Sequence, residues 1–430
     1  MKTKLFFLLT FSLLLLFTGC NGDNNQFEID SREETSAWYV ISSVEAKVEA
    51  LQFLNTNLVG TKSASGRETK DISDREIEVQ SVWRSLTFSN AASGTISTRS
   101  AYTEEIPVYI FSLKESDSKN AGFIVSVGDK RVLNRVIAFS DKEEWDMSEI
   151  PEFEAIFWDN VDNYLINTLS ESGVDMCDTY DYIVTEEEET YVSDFLLKWG
   201  QTVSPYNDSV PVCTSTGLNM PTGCVAVAMG QIMAYHGKPL SGSYIHPRYN
   251  RTVNAQYDWF KMRGQLSAEY LTSVEGRSGV ANILAEAGYK VNMDYDCGGS
   301  GAYPPNAVSG FQQMSFSCSS LTTFNLNYIL NDINSERPVY IRGDNGVYGH
   351  AWIIEGYKKY IYNTYYGRDC PYGGGESIPP TLIGSSSEYY LYFNLGWFGS
   401  SNGFYSSTVF SGWPFATNSP QIIYNIQYNS

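Results

Sequence analysis

Residues 221–239 constrain this chain more than any other stretch. Pro221, Thr222 and Gly223 make a turn-like opening, and the run from Cys224 to His236 that follows is almost wholly apolar. Gly237 closes it as a C′ residue, and Pro239 cannot continue a helix. The spacing predicts a buried helix beginning at Cys224. A thiol in the first helical turn lies among free backbone N–H groups at the positive end of the macrodipole, where an anion is favoured. Cys224 is therefore either a nucleophile in want of a base or a small apolar residue of the core, a common fate for a free thiol.

The chain opens with Lys2 and Lys4, an apolar run over 5–17, and then Thr18, Gly19 and Cys20. This pattern predicts an export signal over residues 1–20, and the run is too short for a permanent span. The Gly19–Cys20 ending resembles a bacterial lipoprotein signal. That resemblance implies lipidation of Cys20, a lipid anchor as the only membrane contact, and a place on the outer membrane or cell surface, with the mature form released. An ordinary signal cut nearby is the alternative.

The net charge of -20 is unevenly spread. Residues 191–430 hold 15 acids against 13 bases, while the first 190 hold 34 against 16. The acidity belongs to the N-terminal half, and no basic face suited to nucleic acid is present. The run Glu186, Glu187, Glu188, Glu189 falls where the balance changes and predicts a solvated linker open to proteolysis. About 400 residues beyond the signal suffice for two domains, expected over 21–185 and 186–430. Setting aside Cys20 and Cys224, five of the seven cysteines remain. Export permits disulfides among them without requiring any. With no close Cys/His cluster, neither a metal nor a cofactor is expected.

In the first domain, residues 37–56 carry a helical pattern that places Val40, Ile41, Val44, Val48 and Leu51 on one face. Strands are expected over 108–111, 122–127 and 132–139, then a helix over 153–169 with Ile156, Phe157, Val161, Tyr164 and Leu165 on one side. The second domain begins with helices, including 279–287 and 325–333. After Pro338 it turns to strands over 339–342, 351–357, 360–365, 389–393 and 404–406. The class is α+β.

Only three histidines are present. His236 lies 12 residues beyond Cys224 on one helix, about 18 Å away, and is expected to cap its end. His246, beside Pro247, is expected to be exposed. His350, after Gly349 at a loop-to-strand junction, remains as the plausible base for Cys224, with a structural histidine as the alternative. A third group that orients the imidazole favours such a pair. Asn394, at a strand end with Trp397 nearby, suits that task; it is otherwise a turn residue beside Gly396.

The segments Thr222-Gly223-Cys224-Val225-Ala226, Trp199-Gly200-Gln201, Tyr257-Asp258-Trp259, Gly349-His350-Ala351 and Asn394 with Gly396-Trp397 resemble the streptopain family of papain-like cysteine peptidases. Residues 37–140 resemble that family's inhibitory pro-domain more loosely. The resemblance implies a papain-like two-subdomain fold preceded by a small α+β pro-domain. It implies a secreted or surface-anchored zymogen that hydrolyses peptide bonds in proteins, with its own pro-domain as intramolecular inhibitor. It implies catalysis by Cys224 and His350 with Asn394, an oxyanion role for Gln201, and Trp397 beside the cleft. Three departures stand out: Leu395 where a Trp is usual, Phe398 where a Gly is usual, and Glu355 where an Asp is common. They keep open a catalytically weak surface lipoprotein that only binds. A cell-wall amidase with the same Cys and His order is a third reading.

Overall fold

The computed structural model describes residues 39–58, 76–88, 101–114, 120–171, 178–193, 197–263, 273–368, 377–411 and 419–429. The expected signal with Cys20, and Cys177 and Cys370, lie outside them. Among the described residues no helix is long and apolar enough to cross a membrane.

The N-terminal part comprises α1 (Ser43–Leu58), β1 (Glu76–Phe88), β2 (Tyr102–Lys114), β3 (Asn120–Val127), β4 (Val136–Ser140) and α2 (Pro151–Glu171). β1 to β4 form an antiparallel meander. Its two faces alternate along β2: Ile106, Val108 and Ile110 face α2, while Tyr109, Phe111 and Leu113 face α1, as a period of two requires. α2 buries Phe153, Ile156, Phe157, Val161, Tyr164 and Leu165, the stripe its periodicity predicts. α1 is turned differently from the expectation. Val44 and Val48 are exposed, and Ala46, Ala50, Phe53 and Leu54 are buried. Two alanines let the helix lie close to an aromatic sheet face, and Phe53 then packs among Phe139, Tyr360 and Tyr390.

The acidic run, expected to be a loose linker, is a paired strand. It lies in β5 (Asp178–Tyr191), which pairs along β11 (Gly349–Arg368). Glu189 stands opposite Lys358 and Glu188 opposite Lys359. Lys358 Nζ reaches Glu189 at 3.4 Å, and Glu188 accepts from the Tyr357 hydroxyl at 2.7 Å. Like charges that resist packing alone are accommodated by cross-strand lysines.

The C-terminal part continues through α3 (Cys224–His236), β6 (Ser241–Ile245), β7 (Thr252–Gln256), α4 (Trp259–Arg263), α5 (Val274–Lys290), α6 (Asn306–Gln313), β8 (Phe316–Ser317), β9 (Thr322–Thr323) and α7 (Leu326–Ile333). It ends with β10 (Val339–Asp344), β11, β12 (Ile378–Asn394), β13 (Gly403–Ser406), β14 (Gln421–Ile423) and β15 (Gln427–Tyr428). The helices and the strands make two halves, with α3 packed on α5 on one side and on β10 and β11 on the other. The two expected strands at 351–357 and 360–365 are one long β11. A disulfide joins Cys213 to Cys297.

One sheet runs through both parts of the chain. β4 pairs with β13, giving the order β1-β2-β3-β4-β13-β12-β11-β10-β14-β9, with β5 on β11. A second grip comes from the 143–146 turn, where Lys198 pairs with Glu143 at 2.6 Å and Ser401 donates its N–H to the Glu144 carbonyl at 3.0 Å. The third is α2, whose first turn lies against β10 and β11 at His350.

Candidate active site

α3 begins at Cys224, as its sequence predicts, and Gly237 ends it in the left-handed conformation with φ 64°. The N-cap is Gly223, so no side chain caps the first turn, and its N–H groups are left for another acceptor. The helix interior is buried from Val225 to Ala234. Burial pushes the Cys224 thiol above its ordinary value. The backbone N–H of Ala351 pulls it back, and the Glu152 carboxylate, on the first turn of α2, adds to the rise. The Ala351 contact matters most: the sulfur meets the residue next to His350 in β11.

His350 is 4 % exposed. Its Nε2 lies 3.0 Å from the Leu395 carbonyl. Phe153 of α2 meets the ring at a centroid distance of 6.1 Å, and Trp352 stacks on it at 5.9 Å. Burial lowers its pKa to about 4, opposed by the hydrogen bond to Leu395. At neutral pH the imidazole is therefore uncharged. Burial favours the neutral form of both partners, and α2 acts on each, through the Glu152 charge on the thiol and the Phe153 ring on the imidazole.

Cys224 and His350 line one cleft of about 370 Å³. Ser300, Ala302, Tyr340, Arg342 and Tyr348 line it as well. The Ser300 segment is fastened: Ser300 Oγ donates to the Pro221 carbonyl at 2.6 Å, and Cys297, three residues earlier, carries the disulfide.

Asn394 does not orient the imidazole here. Its Oδ1 accepts from Gln231 Nε2 at 3.0 Å and from the Gly396 N–H at 3.3 Å, and its Nδ2 donates to the Leu197 carbonyl at 2.5 Å and to Glu355 at 3.2 Å. Those contacts tie α3, β11 and β12 together inside the core. Glu355 also accepts from the Tyr235 hydroxyl, and burial pushes its carboxyl up to about 8.

Gln201, 23 residues before Cys224 in the chain, meets the turn that leads into α3 through its backbone. Its carbonyl accepts the Thr222 N–H at 2.9 Å, two residues ahead of the thiol. Trp397 is half-buried against the core that holds Leu395 and Phe153. Leu395 is fully buried, and its backbone carbonyl holds the imidazole. Phe398 packs on Gly200 so closely that a Cβ there would overlap the ring.

The other histidines are structural. His236 packs on Phe316, and Arg263 rather than His236 reaches the terminal carbonyls of Ala234 and Tyr235. His246 is buried, not exposed; it lies between Tyr244 and Tyr249, and its Nδ1 accepts from the Arg248 N–H. Sequence reasoning missed Phe153 as a site residue, since it carries only a helical period, and the Leu395 carbonyl, which carries no signal at all. Tyr340 is visible in the sequence only as an alternate residue of a strand.

Residues 199–405 match the model of the Peptidase C10 family, and residues 39–165 match that of the Spi protease inhibitor. The C-terminal part of the chain is thus similar to the Peptidase C10 family. The two matches fall on either side of β5. Among curated relatives, the thiol protease/hemagglutinin PrtT of Porphyromonas gingivalis is 24% identical over 288 residues, covering 60% of this chain and 32% of that protein. Streptopain of Streptococcus pyogenes is 26% identical over 185 residues, covering 36% of this chain and 46% of that protein. The chain thus spans less than half the length of these relatives. A solved fragment of prointerpain A from Prevotella intermedia is 18% identical, covers 81% of this chain and 100% of the fragment, and has a TM-score of 0.49.

Proposed function

We propose that this chain is the precursor of a cysteine endopeptidase, inhibited by its own N-terminal part and exported as a lipoprotein through Cys20. The observation that carries the reading is the state of the Cys224–His350 pair. The sulfur lies on β11 beside His350, while the imidazole is turned to Leu395 under Phe153. A free nucleophile and a base share one cleft, and the segment that resembles a protease inhibitor packs on the base.

Removal of α2 takes Phe153 from the imidazole and Glu152 from the thiol. Solvation then raises the basicity of His350, and its ring is free to turn from Leu395 to the sulfur. His350 takes the thiol proton, the thiolate attacks a peptide carbonyl, and the imidazolium protonates the leaving amine. Water releases the acyl group with His350 as base. The oxyanion is met by the uncapped N–H of Cys224 and by the Gln201 side-chain amide, a role supported by the backbone bond that ties Gln201 to Thr222 before the helix. The inhibitory part spans 39–171 and the peptidase begins at 197; β5 lies between and stays paired until opened. Asn394 braces the strand end whose next carbonyl, that of Leu395, holds the imidazole in reserve.

The test is hydrolysis of a denatured protein by the purified chain, beside Cys224→Ala and Gln201→Ala. Wild type is expected to shed its N-terminal part and then cleave the substrate. Cys224→Ala stays intact and inert, and Gln201→Ala loses about 10²-fold or more in kcat, as loss of an oxyanion donor does. Equal cleavage by wild type and Cys224→Ala ends the proposal.

A further inference from the structure

Tyr340 is the second residue of β10, opposite Ile353 of β11 and Ile423 of β14. Its neighbours Val339 and Ile341 face the α2 side of the sheet, so the phenol faces α3. There it lines the cleft together with Cys224. The side chain is 0 % exposed, and its hydroxyl meets no hydrogen-bond partner among the described residues. A buried donor left unpaired is costly. A purely packing role at position 340 would need no hydroxyl, since phenylalanine fills the same space.

The first anion to form in this cleft on the proposed reaction path is the Cys224 thiolate. Burial keeps the Tyr340 phenol neutral; a charge on Cys224 adds to that, and the Arg342 guanidinium works the other way. With the thiol neutral, as in the precursor, the phenol has little to bind. With the thiol ionised, a neutral O–H donor beside it gains a charge-assisted hydrogen bond.

We propose that the Tyr340 hydroxyl donates a hydrogen bond to the Cys224 thiolate and so acts as a further catalytic residue. Its catalytic standing rests on the peptidase reading, but the hydrogen bond is testable without turnover. The experiment follows alkylation of Cys224 by iodoacetamide against pH in the full-length chain, read by peptide mass so that Cys318 is counted separately. Tyr340→Phe is expected to move the Cys224 midpoint up by about one unit, which slows alkylation about tenfold at any pH below it. Difluorotyrosine placed at 340 keeps the ring and makes the hydroxyl a stronger donor, and is expected to move the midpoint down. Unchanged midpoints in both variants overturn the proposal and leave the peptidase reading standing. Shifted midpoints in a chain that never cleaves protein uphold the hydrogen bond and sink the peptidase reading instead.

Discussion

Phe153 of the inhibitory part meets the ring of His350 at 6.1 Å, edge to face, while the imidazole nitrogen is bound to Leu395. This aromatic side chain therefore adds to the burial of the candidate base, together with Trp352 and Leu395. Phe153→Ala in the full-length chain is expected to destabilise it by about 3–5 kcal/mol, the usual cost of a large aromatic truncated in a core. The same change should let the uncut chain hydrolyse a small peptide substrate. Denaturant unfolding checks the first effect, and peptide hydrolysis with Cys224→Ala as the blank checks the second. A destabilised chain with no gain in hydrolysis would show that Phe153 only packs.

The pH dependence follows from the same contact. The folded pKa of His350 is lowered from 6.5 to about 4. A base held neutral by burial stabilises the fold fully above 6.5, and that contribution is lost as pH falls from 6.5 towards 4. A difference of that size is on the order of 3 kcal/mol. Glu143, raised by burial beside Lys198, and Glu355 act in the opposite sense. The comparison is therefore between wild type and His350→Gln, which share those carboxyls. Wild-type stability is expected to gain on the variant as pH rises from 4 to 6.5, then run parallel. Parallel curves throughout would mean that the imidazole is solvated in the precursor.

Glu355 gives the converse case. Its folded pKa is raised to about 8 by burial, against the opposing pull of the hydrogen bonds from Tyr235 and Asn394. The neutral carboxyl stabilises fully below 4.5, and the benefit is lost as pH rises through about 8. Glu355→Gln is expected to match wild type near pH 5 and to be the more stable at pH 8, by roughly 1–3 kcal/mol. Urea unfolding at the two pH values decides it; a variant weaker at both would show that the acid proton itself holds the network.

Much of this arrangement is legible in the sequence where one local pattern dictates the outcome. Cys224 opens its helix because a Pro-Thr-Gly turn precedes a uniformly apolar run, and α2 buries the stripe its period marks. What could not be read depends on residues far away in the chain. Four consecutive glutamates look like a loose segment until Lys358 and Lys359 of β11 stand opposite two of them. Val44 and Val48 look like a core face until the aromatic sheet selects Ala46 and Ala50 instead. Asn394 looks like an imidazole partner until Gln231, from a helix 163 residues earlier, occupies its oxygen.

Phe398 illustrates how one departure is absorbed by a distant glycine. Its ring packs so closely on Gly200 that any Cβ there would overlap it. Its N–H also donates to the Trp199 carbonyl at 3.2 Å. Glycine at 200 is thus required by the ring and not by its own dihedral angles. Gly200→Ala is expected to destabilise the chain by about 1–3 kcal/mol, as overpacking does. Phe398→Ala alone leaves a cavity and should cost about 3–5 kcal/mol. In the double variant the new methyl group has room, so the combined loss should fall below the sum of the separate values by about 0.5 kcal/mol or more, the signature of residues in contact. Thermal unfolding of the four chains measures the coupling, and strict additivity would place the ring elsewhere. Because Gly200 adjoins Gln201, Gly200→Ala is also expected to lower kcat in the processed enzyme, and Phe398→Ala to restore part of it.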